Sequence, residues 1–267
     1  MSWRRIIFLT FVWISLVGYL VISLGFVTHR NRGVICSRIE VKVIDSIENS
    51  FISAKDIKRM IDRKGKSPIG KSLWTINTYE IESNLTNLMA VRDVQAYKTV
   101  DGALSIMVKQ RQPVVRIFNK YNQSYYIDDE AKILPLSDRF AAHVLVVNGN
   151  ITEPFRIRPN IDISIWQDSL IDGSRPLICE IYDFANYLAG DDFWNAQIAQ
   201  VYVDGPNDIE LIPRVGSHLI LLGSFENYAL KLNKLKKFYE EALPAEGWNK
   251  YKLINLKYSN QIICKKR

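Results

Sequence analysis

The stretch 94–108, VQAYKTVDGALSIMV, decides how this chain folds. Val94–Val100 and Ala103–Val108 flank Asp101-Gly102. An Asp-Gly pair between two such runs is the strongest short-range hairpin signal, because tight hairpin turns need positive φ, which Gly adopts without steric penalty. Upstream, Asn77 with Glu80 three positions later opens a helix whose Ile81, Leu85 and Leu88 form an apolar stripe. The preceding Lys66–Ile76 carries Pro68, Gly70 and Ser72 and reads as a loop, with Leu73 and Trp74 turned inward. Before it, Ser53 caps another helix, with Asp56 as the acid three residues on, Ile57, Met60 and Ile61 at helical spacing, and Gly65 at the end. Further back, Arg38–Ile47 sets Ile39, Val41 and Val43 against Glu40 and Lys42, the alternation of a half-buried strand. Residues 38–110 therefore form a β-α-α-β-β module.

Downstream, the second hairpin strand is expected to run on through Lys109–Gln112 into Pro113–Phe118, with Pro113 at an edge or a strand junction. Tyr125–Ile127, a turn over Asp128–Lys132, and Ile133-Leu134 follow, then His143–Val147 closed by Asn148-Gly149. Residues 151–176 scatter Pro, Asp and Gly and yield no element. Leu177–Leu188 is a helix with Ile178, Ile181, Tyr182 and Ala185 on one face. Strands return at Ile198–Val203, Ile209–Ile212 and His218–Leu222. Phe225–Leu243 is the clearest helix, striped by Tyr228, Leu232, Leu235, Phe238 and Tyr239 and stopped by Pro244. The chain closes with two strand-like pieces, Lys252–Lys257 and Gln261–Lys265, bent at Tyr258-Ser259-Asn260. The class is α+β: a β-α-α-β-β module, then a β-rich domain with a late helix. Strict β-α-β alternation is missing, which excludes a parallel-sheet nucleotide-binding fold.

Ahead of the module, Ile6–Val27 contains no charged residue. At about 1.5 Å per residue, a helix of that length crosses a hydrocarbon core of roughly 30 Å. A cleaved signal peptide would have a shorter apolar region and a small-x-small site, whereas Thr28-His29-Arg30-Asn31-Arg32 follows here. The expectation is one uncleaved transmembrane helix at 6–27, a tail at 1–5 and a linker at 28–37. Arg4 and Arg5 before the span balance Arg30 and Arg32 after it, so charge alone leaves the orientation open.

Composition narrows the chemistry. The net charge of +7 is spread along the chain without the basic-aromatic interleaving of a nucleic-acid face. Cys36, Cys179 and Cys264 are far apart and never in C-x-x-C spacing, which argues for buried free thiols over a disulfide framework or a zinc site. His29, His143 and His218 are isolated, and the usual nucleophile, metalloprotease, dinucleotide and phosphate-loop patterns do not occur. Asp128-Asp129-Glu130 and Asp191-Asp192 could hold a divalent metal in an anchored glycosyltransferase. Both lie where a turn or a helix end places solvated acids, and that is the reading taken. Asn84, Asn122 and Asn150 begin Asn-x-Ser/Thr triplets, which matter only in a eukaryotic secretory protein. No catalytic residue, metal site, cofactor or small-molecule substrate is expected. The default is a membrane-tethered interaction protein that binds through strand edges and apolar patches.

Several stretches carry a family resemblance. Phe51–Ile57 resembles the entry into the first helix of a POTRA domain, and Lys109-Gln-Arg-Gln-Pro-Val-Val115 resembles the interdomain junction of the FtsQ/DivIB cell-division family. Tyr126–Leu134 is similar to that family's following hairpin, with Ala131 where Gly is usual. Ile220–Gly223 with Lys231–Phe238 resembles its strand-Gly-helix step, and Lys252–Tyr258 its last strand, with Asn255 for the usual Asp. The resemblance implies a POTRA-like domain at 38–110, an FtsQ-type β domain at 111–267, the N-terminus in the cytoplasm and the bulk in the periplasm, at the division septum of the inner membrane. It also implies a non-enzymatic scaffold that recruits FtsB- and FtsL-type partners and helps regulate septal peptidoglycan synthesis. In the family a partner strand adds along the terminal strand. Here that maps onto Tyr258, Ser259, Asn260, Ile262 and Cys264, with Tyr258 as aromatic anchor. A POTRA-bearing chaperone or transport component is the alternative; it would be expected to carry several POTRA copies or a membrane β-barrel.

Overall fold

Local signals set the first unit. A computed structural model describes residues 3–44, 51–62, 67–158, 160–171 and 173–267, without the side chains of 4–7, 9 and 24–32. The expected strand end at Ile47 and the helix-ending Gly65 lie outside the described residues. Helix α1 spans Trp3–Arg32, with Phe8, Phe11, Trp13, Ile14, Tyr19 and Ile22 exposed. Among the described residues no helix is long and apolar enough to cross a membrane. The chain divides into two compact units, 1–110 and 111–267.

In the first unit, β1 (Arg38–Ile44), α2 (Ala54–Asp62), α3 (Thr78–Thr86), β2 (Val91–Lys98) and β3 (Ala103–Gln110) give the expected β-α-α-β-β order. Ser53 and Asp56 form a reciprocal cap at the start of α2: the Asp56 amide donates to Ser53 Oγ at 3.2 Å, and Asp56 Oδ2 accepts from the Ser53 amide at 3.2 Å. Asn77 Oδ1 accepts from the Glu80 amide at 3.3 Å and starts α3 the same way. The sheet order is β1-β3-β2, with β1 parallel and β2 antiparallel to β3. Gly102 turns the hairpin at φ +88°, and a Cβ there would stand 2.9 Å from the Ile35 carbonyl. Ile39, Ile57, Leu85, Val94, Leu104, Ile106 and Val108 make the core, each such side chain worth about 1.5–3 kcal/mol when buried.

Two expectations change here. Trp74 points outward at 60% exposure while Leu73 is buried. The two occupy successive positions of a 3-10 turn, Leu73–Thr75, so only one can face the core. The hairpin does not run on past Gln110, because β4 (Pro113–Phe118) belongs to a different sheet. Gln110 is buried, its side-chain oxygen accepting from the Ile52 amide at 2.9 Å.

The second unit contains β5 (Ser124–Asp128), β6 (Ile133–Leu134), β7 (Leu145–Gly149), α4 (Leu177–Ala189), α5 (Asp192–Gln197), β8 (Ile198–Gly205), β9 (Asp208–Pro213), β10 (Leu219–Gly223), α6 (Tyr228–Lys237), α7 (Leu243–Glu246), β11 (Tyr251–Asn255) and β12 (Ile263–Lys266). With β4 these strands form one nine-stranded sheet in the order β12-β11-β10-β9-β8-β7-β4-β5-β6. Alternate residues of each strand, among them Ile117, Val147, Val201, Leu211, Ile220 and Ile254, join Ile181, Phe184 and Leu188 of α4 and Leu232 and Leu235 of α6 in one core. Pro244 does not stop the late helix. The chain passes through a π turn, Phe238–Ala242, and Pro244 lies in the first turn of α7, where a missing N–H is tolerated; Gly247 at φ +94° ends the run.

The Asp128–Lys132 turn is also not the solvated loop expected of its acids. Asp128 is fully buried: Oδ2 accepts from Arg111 Nη1 at 2.7 Å, and Oδ1 accepts from the amides of Glu130 at 3.0 Å and Lys132 at 2.7 Å. Glu130 gives Arg111 a second contact at 3.0 Å. Burial pushes the Asp128 carboxyl up, against these hydrogen bonds and the Arg111 charge, which pull it down. Asp191 is a capping residue, accepting from the amides of Phe193 and Trp194 at 2.9 and 3.1 Å to start α5.

Candidate functional site

The five residues singled out near the C-terminus are brought together at one end of the large sheet. β11 runs parallel to β10, with Leu219 opposite Leu253 and Ile220 opposite Ile254. The Leu256 amide donates to the Leu221 carbonyl at 2.8 Å, and Asn255 Oδ1 accepts from the Lys257 amide at 2.9 Å. The chain then bends through Tyr258, Ser259 and Asn260, all exposed. Lys234 at the end of α6 fixes this bend, its Nζ donating to the carbonyls of Tyr258 and Ser259 at 2.8 and 2.9 Å. A second anchor is the ion pair of Lys257 with Asp208. The return strand β12 pairs antiparallel with β11, Cys264 opposite Ile254 and Ile263 opposite Asn255.

Ile262 and Cys264 are half-buried and packed against the main core, and burial pushes the Cys264 thiol up. Tyr258 is 50% exposed on the bend, outside the strand. The residue that sequence reasoning missed is Ile263, 43% exposed on the other face of β12. Three successive apolar residues, Ile262, Ile263 and Cys264, hide which one faces out, because alternation is the signal and it is absent here. Lys234 was missed as well; on a Lys-rich helix it reads as a solvated charge.

β12 is the edge of the sheet, and among the described residues no backbone hydrogen bond reaches its outer side. Two other edges are covered, whereas the outer side of β1 in the small sheet, like that of β12, receives no backbone hydrogen bond among the described residues. At the far end, the Ile133 amide of β6 donates to the Ile161 carbonyl at 2.8 Å, and its carbonyl accepts from the Asn160 amide at 3.0 Å. In the small sheet, the outward amide of Ala96 in β2 donates to Glu82 Oε1 of α3 at 2.7 Å. Covering edge groups in this way prevents unwanted pairing.

In the same half of the sheet as β12, just before β10, His218 is buried, with Nε2 2.7 Å from Tyr239 Oη and Nδ1 without a partner among the described residues. Burial lowers its pKa and pushes that of the Tyr239 hydroxyl well up. Cys36 and Cys179 are buried free thiols, Cys264 a half-buried one, and His143 is exposed. Among the described residues no three His, Cys, Asp or Glu side chains gather as a metal site would require.

Residues 112–265 match the family described as FtsQ/DivIB, C-terminal related. The chain belongs to that family. Residues 34–109 match the POTRA-like domain, in agreement with the β-α-α-β-β unit. No curated protein matches the chain. FtsQ/DivIB proteins are non-enzymatic scaffolds, typically in the septal membrane, and the two matched domains assign this chain a role in cell division that works through divisome protein contacts.

Proposed function

We propose that the chain is a bitopic scaffold of the bacterial divisome that captures FtsB- and FtsL-type partners by strand addition along β12 and thereby helps regulate septal peptidoglycan synthesis. The observation that carries this reading is the uncovered outer edge of β12, set beside covered edges at β6 and β2. An incoming strand would take its affinity from main-chain hydrogen bonds to β12. Specificity would come from Ile263 and from Tyr258 on the adjoining bend, with Ser259 and Asn260 offering polar contacts beside it. Ile262 and Cys264 hold the strand to the core and act by keeping its edge straight. The charge-free run Ile6–Val27 supports a single membrane span, and the family match, not the charge balance, supports residues 28–267 on the periplasmic side.

The test is capture of FtsB- and FtsL-type proteins from the same cell by the full-length chain, compared with Tyr258→Lys and Ile263→Lys variants. The expected result is capture by the parent chain and its loss in both variants at unchanged expression and melting temperature. Capture that survives both substitutions would remove β12 and its bend from the interface.

A further inference from the structure

At the other half of the large sheet, on the face turned away from α4 and α6, the β4–β5 turn and parts of β7 and β8 line a shallow, open depression of about 630 Å³. Phe118 and Asn148 alternate along their strands with the core residues Ile117 and Val147, and Gln200 precedes Val201, so their side chains take this opposite face. The walls are rich in carboxamides: Asn122, Asn148, Asn150 and Gln200, with Phe118 as the ring and Lys120 as the one cation lining the depression. Gln200 Nε2 donates to Asn148 Oδ1 at 2.8 Å. That bond uses one donor and one acceptor, and leaves the Asn148 NH₂ and the Gln200 carbonyl without a partner among the described residues. The Arg116 guanidinium lies 4.6 Å from the Phe118 ring centroid and holds the ring in place.

The surrounding backbone says what kind of ligand fits. β4 pairs with β5 and β7, β7 with β4 and β8, and β8 with β7 and β9. No strand edge is offered here, so a peptide cannot add by main-chain pairing, and recognition falls to side chains. An adjacent free NH₂ and C=O match an acetamido group, whose carbonyl accepts from Asn148 and whose N–H donates to Gln200. An aromatic ring beside them suits the C–H face of a sugar ring. We propose that this depression binds an uncharged N-acetylated carbohydrate. The site is built from strands other than β10–β12 and is independent of partner capture.

The full-length chain in detergent micelles is titrated calorimetrically with a trimer of N-acetylglucosamine, with maltotriose, which lacks acetamido groups, and with a blocked trialanine peptide. Saturable binding of the N-acetylated trimer is expected, with maltotriose weaker by roughly tenfold or more because the amide pair is left unmatched. Asn148→Ala and Phe118→Leu should each weaken the trimer roughly tenfold at an unchanged melting temperature. Gln200→Glu, which keeps the side-chain size and removes the donor to Asn148, gives the same reading should either of those fail to fold. No saturation by the N-acetylated trimer, equal affinity for maltotriose, or unchanged binding in the folded variants would overturn the proposal. Tighter binding of the peptide would overturn it in favour of a peptide site. A Tyr258→Lys chain that loses partner capture but keeps trimer binding separates this site from the one at β12.

Discussion

The two ends of the nine-stranded sheet solve the same problem in opposite ways. At the β6 end, the turn before the strand is held from inside by the buried Asp128–Arg111 pair, and the backbone of Asn160 and Ile161 covers the outer edge. At the β12 end, the strand is four residues long, the bend before it is tied down by Lys234, and the outer edge has no covering backbone among the described residues. An edge strand exposes a row of N–H and C=O groups that is a ready template for another strand, so natural sheets cover edges they do not use. The difference teaches where stability and recognition are separated: substitutions at the closed end should change folding, and those at the open end should change binding.

The largest expected effect tests the closed end. Asp128→Ala leaves the buried Arg111 guanidinium with only the half-exposed Glu130 and strips the turn amides of their acceptor, and should destabilise the second unit by about 3 kcal/mol, read as a lower urea midpoint. At the open end, Ile263→Lys should alter the same midpoint by no more than about 0.5 kcal/mol, as an exposed substitution does. It should nevertheless weaken partner capture roughly tenfold, about 1.4 kcal/mol. Equal stability losses at both ends would break the contrast.

A smaller effect sharpens it. Ala131 sits in the closed-end turn at φ +61°, a left-handed conformation that strains a residue bearing a Cβ. Ala131→Gly should therefore stabilise the second unit by about 1 kcal/mol, as a raised unfolding midpoint, and leave capture untouched. The smallest effect concerns the open half and pH. His218, just before β10, is held below its ordinary pKa by burial, so below about pH 6.5 the unfolded chain binds more protons than the folded one. Stability should be full above pH 6.5, fall as pH drops through the window down to the folded pKa, and level off below it. Removing the imidazole in His218→Gln should flatten that slope in a pH series of unfolding curves, while Asp128 keeps its own acid response.

Much of the first unit was legible in the chain because its signals are local. Ser53 with Asp56, Asn77 with Glu80, and Asp101-Gly102 each specify a cap or a turn within four residues, and the structure uses all three. Signals needing distant partners were misread. Asp128 looked solvated because its partner Arg111 is 17 residues away. Trp74 looked buried because an apolar pair gives no sign of which member faces in. Pro244 looked like a stop because the π turn before it is not written in periodicity. Of the proposed site, the segment 258–264 was singled out through family resemblance, but which residue of its strand faces outward was not legible.

By itself the sequence determined the element order of the first unit, the α+β class, the caps and hairpin of that unit and the charge-free run at 6–27, because each depends on spacing between near neighbours. Only the tertiary structure decided which edge of the large sheet is closed, that β12 is left uncovered among the described residues, that Ile263 rather than Ile262 or Cys264 faces outward, and that Asn148 and Gln200 meet beside Phe118. Those facts depend on strand order and register across a nine-stranded sheet, which local propensity does not encode.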